Sequence, residues 1–155
     1  MKKHFYLLLA FCLIVTGANA QTITNKELQG RWNLLSCDLG GIILDLKTDQ
    51  IRFSDEVSES MDQEAQDALV EGMAETLAKF REGYIEFTDN KVTVFLETPD
   101  TAVYTLTQKD GVQHIAMTYD EDTTVDDFEI ALIGKELHLT IEEEEAKVEF
   151  VYLKK

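Results

Sequence analysis

Cysteine, proline and tryptophan are all scarce in this 155-residue chain. Of the two cysteines, Cys12 lies in the apolar N-terminal segment, so Cys37 has no partner left for an intramolecular disulfide. We interpret Cys37 as a small buried apolar side chain, with a reactive thiol or an intermolecular bridge as the alternatives. The only proline is Pro99, and no Pro/Ser-rich linker divides the chain, which predicts a single domain.

Long apolar runs are also missing, apart from the segment from Phe5 to Val15. That segment is shorter than the roughly 20 residues that a membrane-spanning helix needs. It follows Lys2 and Lys3 and precedes Ala18-Asn19-Ala20, the pattern of a secretory signal peptide with an A-x-A cleavage site. We therefore predict a signal peptide at 1-20 and an exported domain at 21-155, in the periplasm or outside the cell. Lipidation at Cys12 is the disfavoured alternative, because the bulky Phe11 precedes it.

Basic residues are few. Without the first 20 residues, 12 basic residues stand against 30 acidic ones, a net charge of −18. Such a chain repels nucleic acid and anionic membrane surfaces, and its self-repulsion favours a monomer. We expect no nucleic-acid partner and no membrane anchor.

Most of the domain alternates between apolar and polar residues with the period of two that is typical of β-strands. The first strand begins at Gly30, and its alternation puts Trp32 and Leu34 on one face, with Leu35 and Cys37 on the other. The stretch from Asp38 to Phe53 can form either one kinked strand or two. After Gly83, sequential hairpins turn at sites such as Asp89-Asn90, Lys109-Asp110-Gly111 and Gly134-Lys135. This pattern predicts an all-β fold, an antiparallel up-and-down barrel of about eight strands.

One segment, at about 60-82, has the 3.6-residue period of an amphipathic helix. Ser60 and Gln63 form a potential capping box, and Gly83 suits the position after the last turn. The predicted apolar face includes the small residues Ala65, Ala68 and Gly72, and a glycine inside a helix suggests close packing. We expect a core helix, with a mobile lid or a partner-binding element as the alternatives.

A short N-terminal turn, then Gly30-Arg31-Trp32 at the start of the first strand, then antiparallel hairpins, resembles the lipocalins. The chain is more similar to small exported bacterial lipocalin-like domains. The resemblance implies a closed eight-stranded barrel around a cavity for a small apolar ligand, with Gly30 and Trp32 at the barrel floor. Lipocalins also hold an arginine late in the barrel over this tryptophan, whereas the last arginine of this chain is Arg81.

Aromatic and methionine side chains of the later strands are the candidate ligand-binding residues, since such pockets are mostly apolar with a few polar groups. The seven chosen candidates are Tyr84, Phe87, Phe95, Tyr104, Met117, Tyr119 and Phe128, and Phe150 and Tyr152 of the last strand are further aromatic residues that could line a cavity. The same residues could instead fill the barrel as core, because an eight-stranded barrel is just wide enough for its own side chains or for one small ligand. The alternative function is then a non-enzymatic interaction or structural module with a solid core.

No metal site, cofactor or catalytic centre is predicted. The acidic groups at 120-122, 126-127 and 142-145 match no calcium loop and are interpreted as solvated charge. His114 and His138 lie in strand patterns without a nucleophile or a metal-ligand motif nearby. The sequence therefore favours a binding protein over an enzyme.

Overall fold

The computed structural model describes residues 22–119, 125–143 and 146–155. The predicted signal peptide at 1-20, the acidic residues 120-122, and residues 144-145 of the acidic run 142-145 lie outside the described part of the chain. The helices are α1 (Asn25–Leu28), α2 (Asp55–Ser60) and α3 (Gln63–Phe80). The strands are β1 (Gly30–Leu39), β2 (Ile42–Asp45), β3 (Gln50–Phe53), β4 (Tyr84–Thr88), β5 (Lys91–Phe95), β6 (Pro99–Lys109), β7 (Val112–Tyr119), β8 (Val125–Ile133), β9 (Glu136–Glu143) and β10 (Ala146–Lys154).

Eight of these strands close into an antiparallel barrel. From β4 to β10 each strand pairs with the next one along the chain, and β1 joins β4 to β10. The prediction of an up-and-down barrel of about eight strands is confirmed. Closure pairs the backbone edges that an open sheet would expose.

Strand β1 has three partners. It pairs with β10 on one side, while on the other it pairs with β4 over residues 30–33 and with β2 over residues 36–38. The chain between Asp38 and Phe53 is therefore two strands, β2 and β3, which form a hairpin beside the barrel. Gly40 and Gly41 turn the chain into that hairpin, both with positive φ.

A β-bulge at Leu35 changes the face that β1 buries. Leu34 is opposite Tyr152 and Ser36 is opposite Val151, so Leu35 has no cross-strand partner. The extra residue shifts the alternation by one, and the buried residues become Trp32, Leu34 and then Cys37. The predicted placement of Cys37 opposite to Trp32 is therefore wrong.

The floor of the barrel is sealed by the N-terminal segment. Trp32 is 2% exposed, and its indole Nε1 donates a 2.7 Å hydrogen bond to the Leu28 carbonyl oxygen. Leu28 and Ile23 are buried beside it, and the side-chain amide of Gln113 binds both the backbone N–H and the carbonyl of Ile23. The Nζ of Lys154 lies 4.9 Å from the centre of a Trp32 ring.

The predicted helix is present, but its start is different. Helix α3 is N-capped by Asp62, whose side chain accepts from Ala65 N–H, so the predicted Ser60–Gln63 capping box is wrong. Ser60 instead ends the short helix α2, which is capped by Ser54. Two adjacent caps divide the segment into two helices.

The buried face of α3 is also narrower than predicted. Leu77 is buried, and Met73 and Phe80 pack beside it, whereas Ala65, Ala68 and Gly72 are exposed. A Cβ atom added at Gly72 would have no neighbour within 4 Å, so the expected close packing at this glycine does not occur.

Two apolar clusters make up the core. The larger fills the barrel, and the smaller consists of Cys37, Leu44 and Leu77, which lie between the β1–β2 sheet and α3. Phe80 and Phe150 contact both clusters, so the helix is packed onto a continuation of the barrel interior. In the described part of the chain, no helix is long and apolar enough to cross a membrane.

Candidate ligand-binding site

Two of the seven predicted ligand-binding residues lie on the outer face of the barrel. Tyr84 is next to the fully buried Ile85 and pairs with Phe95 across the β4–β5 hairpin. Their rings stack at 5.2 Å between centroids, and the guanidinium of Arg31 lies 3.5 Å from the Tyr84 ring centre. Neighbouring residues of a strand point to opposite faces, so the predicted interior position of Tyr84 and Phe95 is wrong.

Three others, Phe87, Tyr104 and Met117, are packed into the core towards the floor. Phe87 and Tyr104 contact edge to face, with 5.1 Å between ring centroids. The Tyr104 hydroxyl donates to the Asp89 carbonyl oxygen and accepts from the Gln29 side-chain amide. These side chains face inward as predicted, and they fill the space that a ligand near the floor would need.

The remaining two, Tyr119 and Phe128, face inward but are only partly buried. They lie towards the end opposite the floor, where β7 ends and β8 begins, and we call this the open end. Further partly buried apolar side chains pack against the core around it: Leu46, Phe80, Val94, Leu96 and Phe150. The structure thus brings two of the seven candidates together with Phe150, which was a further aromatic candidate, and with four apolar side chains that the sequence analysis did not select.

Two carboxylates also face inward at the open end. Asp126 is the cross-strand partner of the buried Met117, and Asp100 is the partner of Val94. Cross-strand partners share a face of the sheet. The sequence contains a signal for this position, because Asp126 lies two residues before Phe128 and four before Ile130, and alternate residues of a strand share a face. Its charge alone favours a solvated position.

Two tyrosines of the inner face have a raised pKa. Burial, and then the charges of Asp126 and Asp100, raise the pKa of Tyr119 to about 12. Burial also raises the pKa of Tyr152, which is 2% exposed, with smaller effects from Cys37 and Tyr119. Tyrosine hydroxyls held in the protonated form can both donate and accept hydrogen bonds.

A surface depression of about 580 Å³ lies elsewhere. It is bordered by Asp38 and Glu149 on the outer face of β1 and β10, and by Ser54, Glu56 and Val57 at α2. Its lining is about equally polar and apolar, and it contains none of the predicted ligand-binding residues. We therefore place the candidate site at the open end of the barrel.

Both predicted strand histidines lie on the outer face, each beside a carboxylate. His114 Nδ1 is 3.3 Å from Asp127 Oδ1, and Asp127 also binds Lys109. His138 Nδ1 is 2.9 Å from Glu149 Oε1. Among the described residues, no group of three or more His, Cys, Asp or Glu side chains could hold a metal ion.

Comparisons with known proteins add no relative: no family model, no curated protein and no solved structure matches the chain.

Proposed function

We propose that this is an exported lipocalin-like protein that binds a small hydrophobic molecule at the open end of its barrel. The observation that carries the proposal is the difference in burial along one continuous interior. Trp32, Phe87 and Ile115 are at most 2% exposed, whereas Tyr119, Phe128 and Phe150 remain partly exposed. Partly exposed apolar side chains at one end of the interior can lose further water contact when a ligand binds.

The lipocalin assignment is supported by the floor. Trp32 stands near the start of β1, is buried under a short N-terminal helix, and has the Lys154 ammonium over its ring. Lipocalins hold a late arginine over this tryptophan, and here Lys154 supplies a cation near its ring. Export is supported by the N-terminal pattern of basic, apolar and A-x-A segments.

One observation favours a second candidate function, a solid barrel that acts as an interaction or structural module. Phe87, Tyr104 and Met117 fill the interior next to the floor. Space for a ligand is therefore restricted to the open end. In that case the outer surface would meet a protein partner, and the open end would bind nothing small.

Titration with the neutral fluorescent probe N-phenyl-1-naphthylamine distinguishes the two candidates. Phe128→Ala removes an inward ring at the open end, and Phe95→Ala is the matched control because it removes a partly buried ring from the outer face. We expect saturable binding that Phe128→Ala weakens about tenfold or more, the effect of losing one buried aromatic contact. Phe95→Ala should leave the dissociation constant unchanged.

The absence of saturable binding by the folded wild-type protein would overturn the small-molecule proposal in favour of the solid module. Equal effects of the two variants would also count against the open end. Native mass spectrometry of protein purified from its own host provides an independent check, because a retained ligand appears directly as added mass.

A further inference from the structure

The outer wall of the barrel carries an arginine without an acceptor. Arg31, on β1, is partly buried, and the Cζ atom of its guanidinium lies 3.5 Å from the centre of the Tyr84 ring. Its Nε is buried and has no hydrogen-bond partner among the described residues. The two other arginines of the chain, Arg52 and Arg81, each bind a carboxylate. No such ion pair within 4 Å forms at Arg31 in the described part of the chain, although the sequence has 30 acidic residues.

Stacked rings hold this guanidinium in place. The strand order β1–β4–β5 puts Arg31 on one side of Tyr84 and Phe95 on the other, and the two rings are 5.2 Å apart at an interplanar angle of 13°. Glu86 is the cross-strand partner of Arg31, yet the guanidinium lies over the tyrosine ring and forms no ion pair with that carboxylate. A guanidinium stacked on an aromatic ring still presents its N–H groups at the edge, in the fork geometry that matches an oxyanion. Arg31 is therefore oriented for such a partner before one binds.

Arg31 borders a depression of about 430 Å³ on the outer face, away from the open end. The side-chain amide of Asn33 lines it as well, as do Arg81 and the single acidic residue of the lining, Glu82. Arg81 is already bound to Asp49 at 2.6 Å. Arg31 is thus the cation that an incoming anion would meet, with the exposed Asn33 amide beside it as a neutral donor.

We propose that this depression binds a small monocarboxylate with a flat apolar body. The two carboxylate oxygens would accept from the terminal N–H groups of Arg31, the bidentate arrangement that makes arginine–carboxylate pairs strong. The Asn33 amide would donate to one of the same oxygens, and the Tyr84 ring supplies apolar surface for the body of the ligand.

The charge of the whole protein limits the class of anion. The net charge of −18 without the signal segment repels anions, and it repels a doubly charged phosphate monoester more than a singly charged carboxylate. One carboxylate fits the single unpaired arginine of the depression, whereas a dianion would bring a second charge without a partner.

An NMR titration with benzoate, benzamide and phenyl phosphate tests the proposal, because the three compounds share one ring and differ in charge. Benzoate should cause saturable shifts in the backbone amide signals of Arg31, Asn33 and Tyr84. Benzamide should bind about tenfold or more weakly, since it loses the charge-assisted hydrogen bonds. Phenyl phosphate should bind no more tightly than benzoate.

Arg31→Lys keeps the positive charge but removes the fork, and it should weaken benzoate about tenfold or more. Arg52→Lys is the matched control, because it makes the same change at an arginine that already pairs with Asp45 outside the depression. Asn33→Asp changes an exposed residue, so it should leave the fold intact, and it should weaken benzoate but not benzamide by placing a like charge beside the carboxylate. Circular dichroism checks that each variant is folded.

Equal affinities for benzoate and benzamide, or equal effects of Arg31→Lys and Arg52→Lys, would overturn this proposal. Tighter binding of phenyl phosphate would overturn the carboxylate class, and the absence of saturable binding would overturn the site. Benzoate should not displace the neutral fluorescent probe from the open end. Displacement, with shifts at inner residues such as Phe128, would place benzoate in the barrel and count against the outer wall. The outer site does not depend on the open end, so either proposal can fail while the other holds.

Discussion

The indole Nε1 of Trp32 donates to the Leu28 carbonyl oxygen at 2.7 Å, and this bond ties the first barrel strand to the helix that closes the floor. The N–H is buried, so it could not bond to water if the Leu28 carbonyl were displaced. A single contact thus satisfies the only polar atom of the Trp32 side chain and fixes α1 under the barrel.

Trp32→Ala should lower the free energy of unfolding by about 3–5 kcal/mol, because it leaves a cavity beneath the barrel and exposes α1. Urea unfolding followed by circular dichroism measures the change. Trp32→Phe is the control for the hydrogen bond, since it keeps a buried ring and should cost less. An unchanged melting temperature of Trp32→Ala would contradict the floor position.

Two glycines of the helical segment should respond to alanine in opposite directions. Gly72 has no neighbour within 4 Å of an added Cβ, so Gly72→Ala should stabilise the protein by about 0.5–1 kcal/mol through helix propensity. At Gly83 the added Cβ would lie 2.8 Å from the Phe80 carbonyl oxygen and 3.1 Å from Leu34 Cδ2. Gly83→Ala should therefore destabilise by about 1–3 kcal/mol.

Both predictions are checked by comparing the melting temperatures of Gly72→Ala and Gly83→Ala with that of the wild type. Each serves as the control for the other, since both add one methyl group to the same region. Destabilisation by Gly72→Ala would show that the exposed face of α3 packs against something in solution.

The barrel could be predicted from the sequence because most of its strands alternate regularly between the core and the solvent. The departures occur where one residue breaks that regularity. The bulge at Leu35 is invisible to a period-two pattern, and it alone transfers Cys37 to the buried face. A tertiary interaction, the pairing of β1 with both β10 and β2, decides where the extra residue lies.

The candidate site could be predicted only in part from residue type. The alternation of positions along each strand, which decides whether a side chain faces the interior or the solvent, is the better guide. Tyr84 and Phe95 are aromatic but lie on the outer face, whereas Asp126 is charged but lies on the inner face. The helix shows the same difficulty, since small residues at Ala65 and Ala68 fit an apolar face without being buried by it. Which part of a helix is buried depends on the neighbouring elements that pack against it, and the sequence of the helix alone does not specify them.

Cys37 should resist alkylation in the native protein. Its side chain is fully buried, and burial, with a smaller effect from Asp38, raises the pKa of the thiol to about 12. Only the thiolate reacts readily, and little is present at pH 8. Iodoacetamide followed by intact mass measurement should show no adduct on the native protein and one adduct in urea. Rapid modification without denaturant would contradict the buried position.

The free energy of unfolding should fall as the pH rises from 10 towards 12. Burial and the charges of Asp126 and Asp100 raise the pKa of Tyr119 from 10.0 to about 12, so the folded state favours the neutral phenol. A group whose pKa is raised on folding contributes its full stabilisation below the unfolded pKa and loses it as the pH passes through the folded pKa.

Urea unfolding at pH 8, 10 and 11 measures this loss, and Tyr119→Phe removes the titrating hydroxyl. The variant should show a shallower decrease between pH 10 and 11 than the wild type. Some decrease should remain, because burial also raises the pKa of Tyr104 and Tyr152. Identical pH dependence of the variant and the wild type would mean that the Tyr119 hydroxyl is solvated, and that the acidic group at the open end does not share its environment.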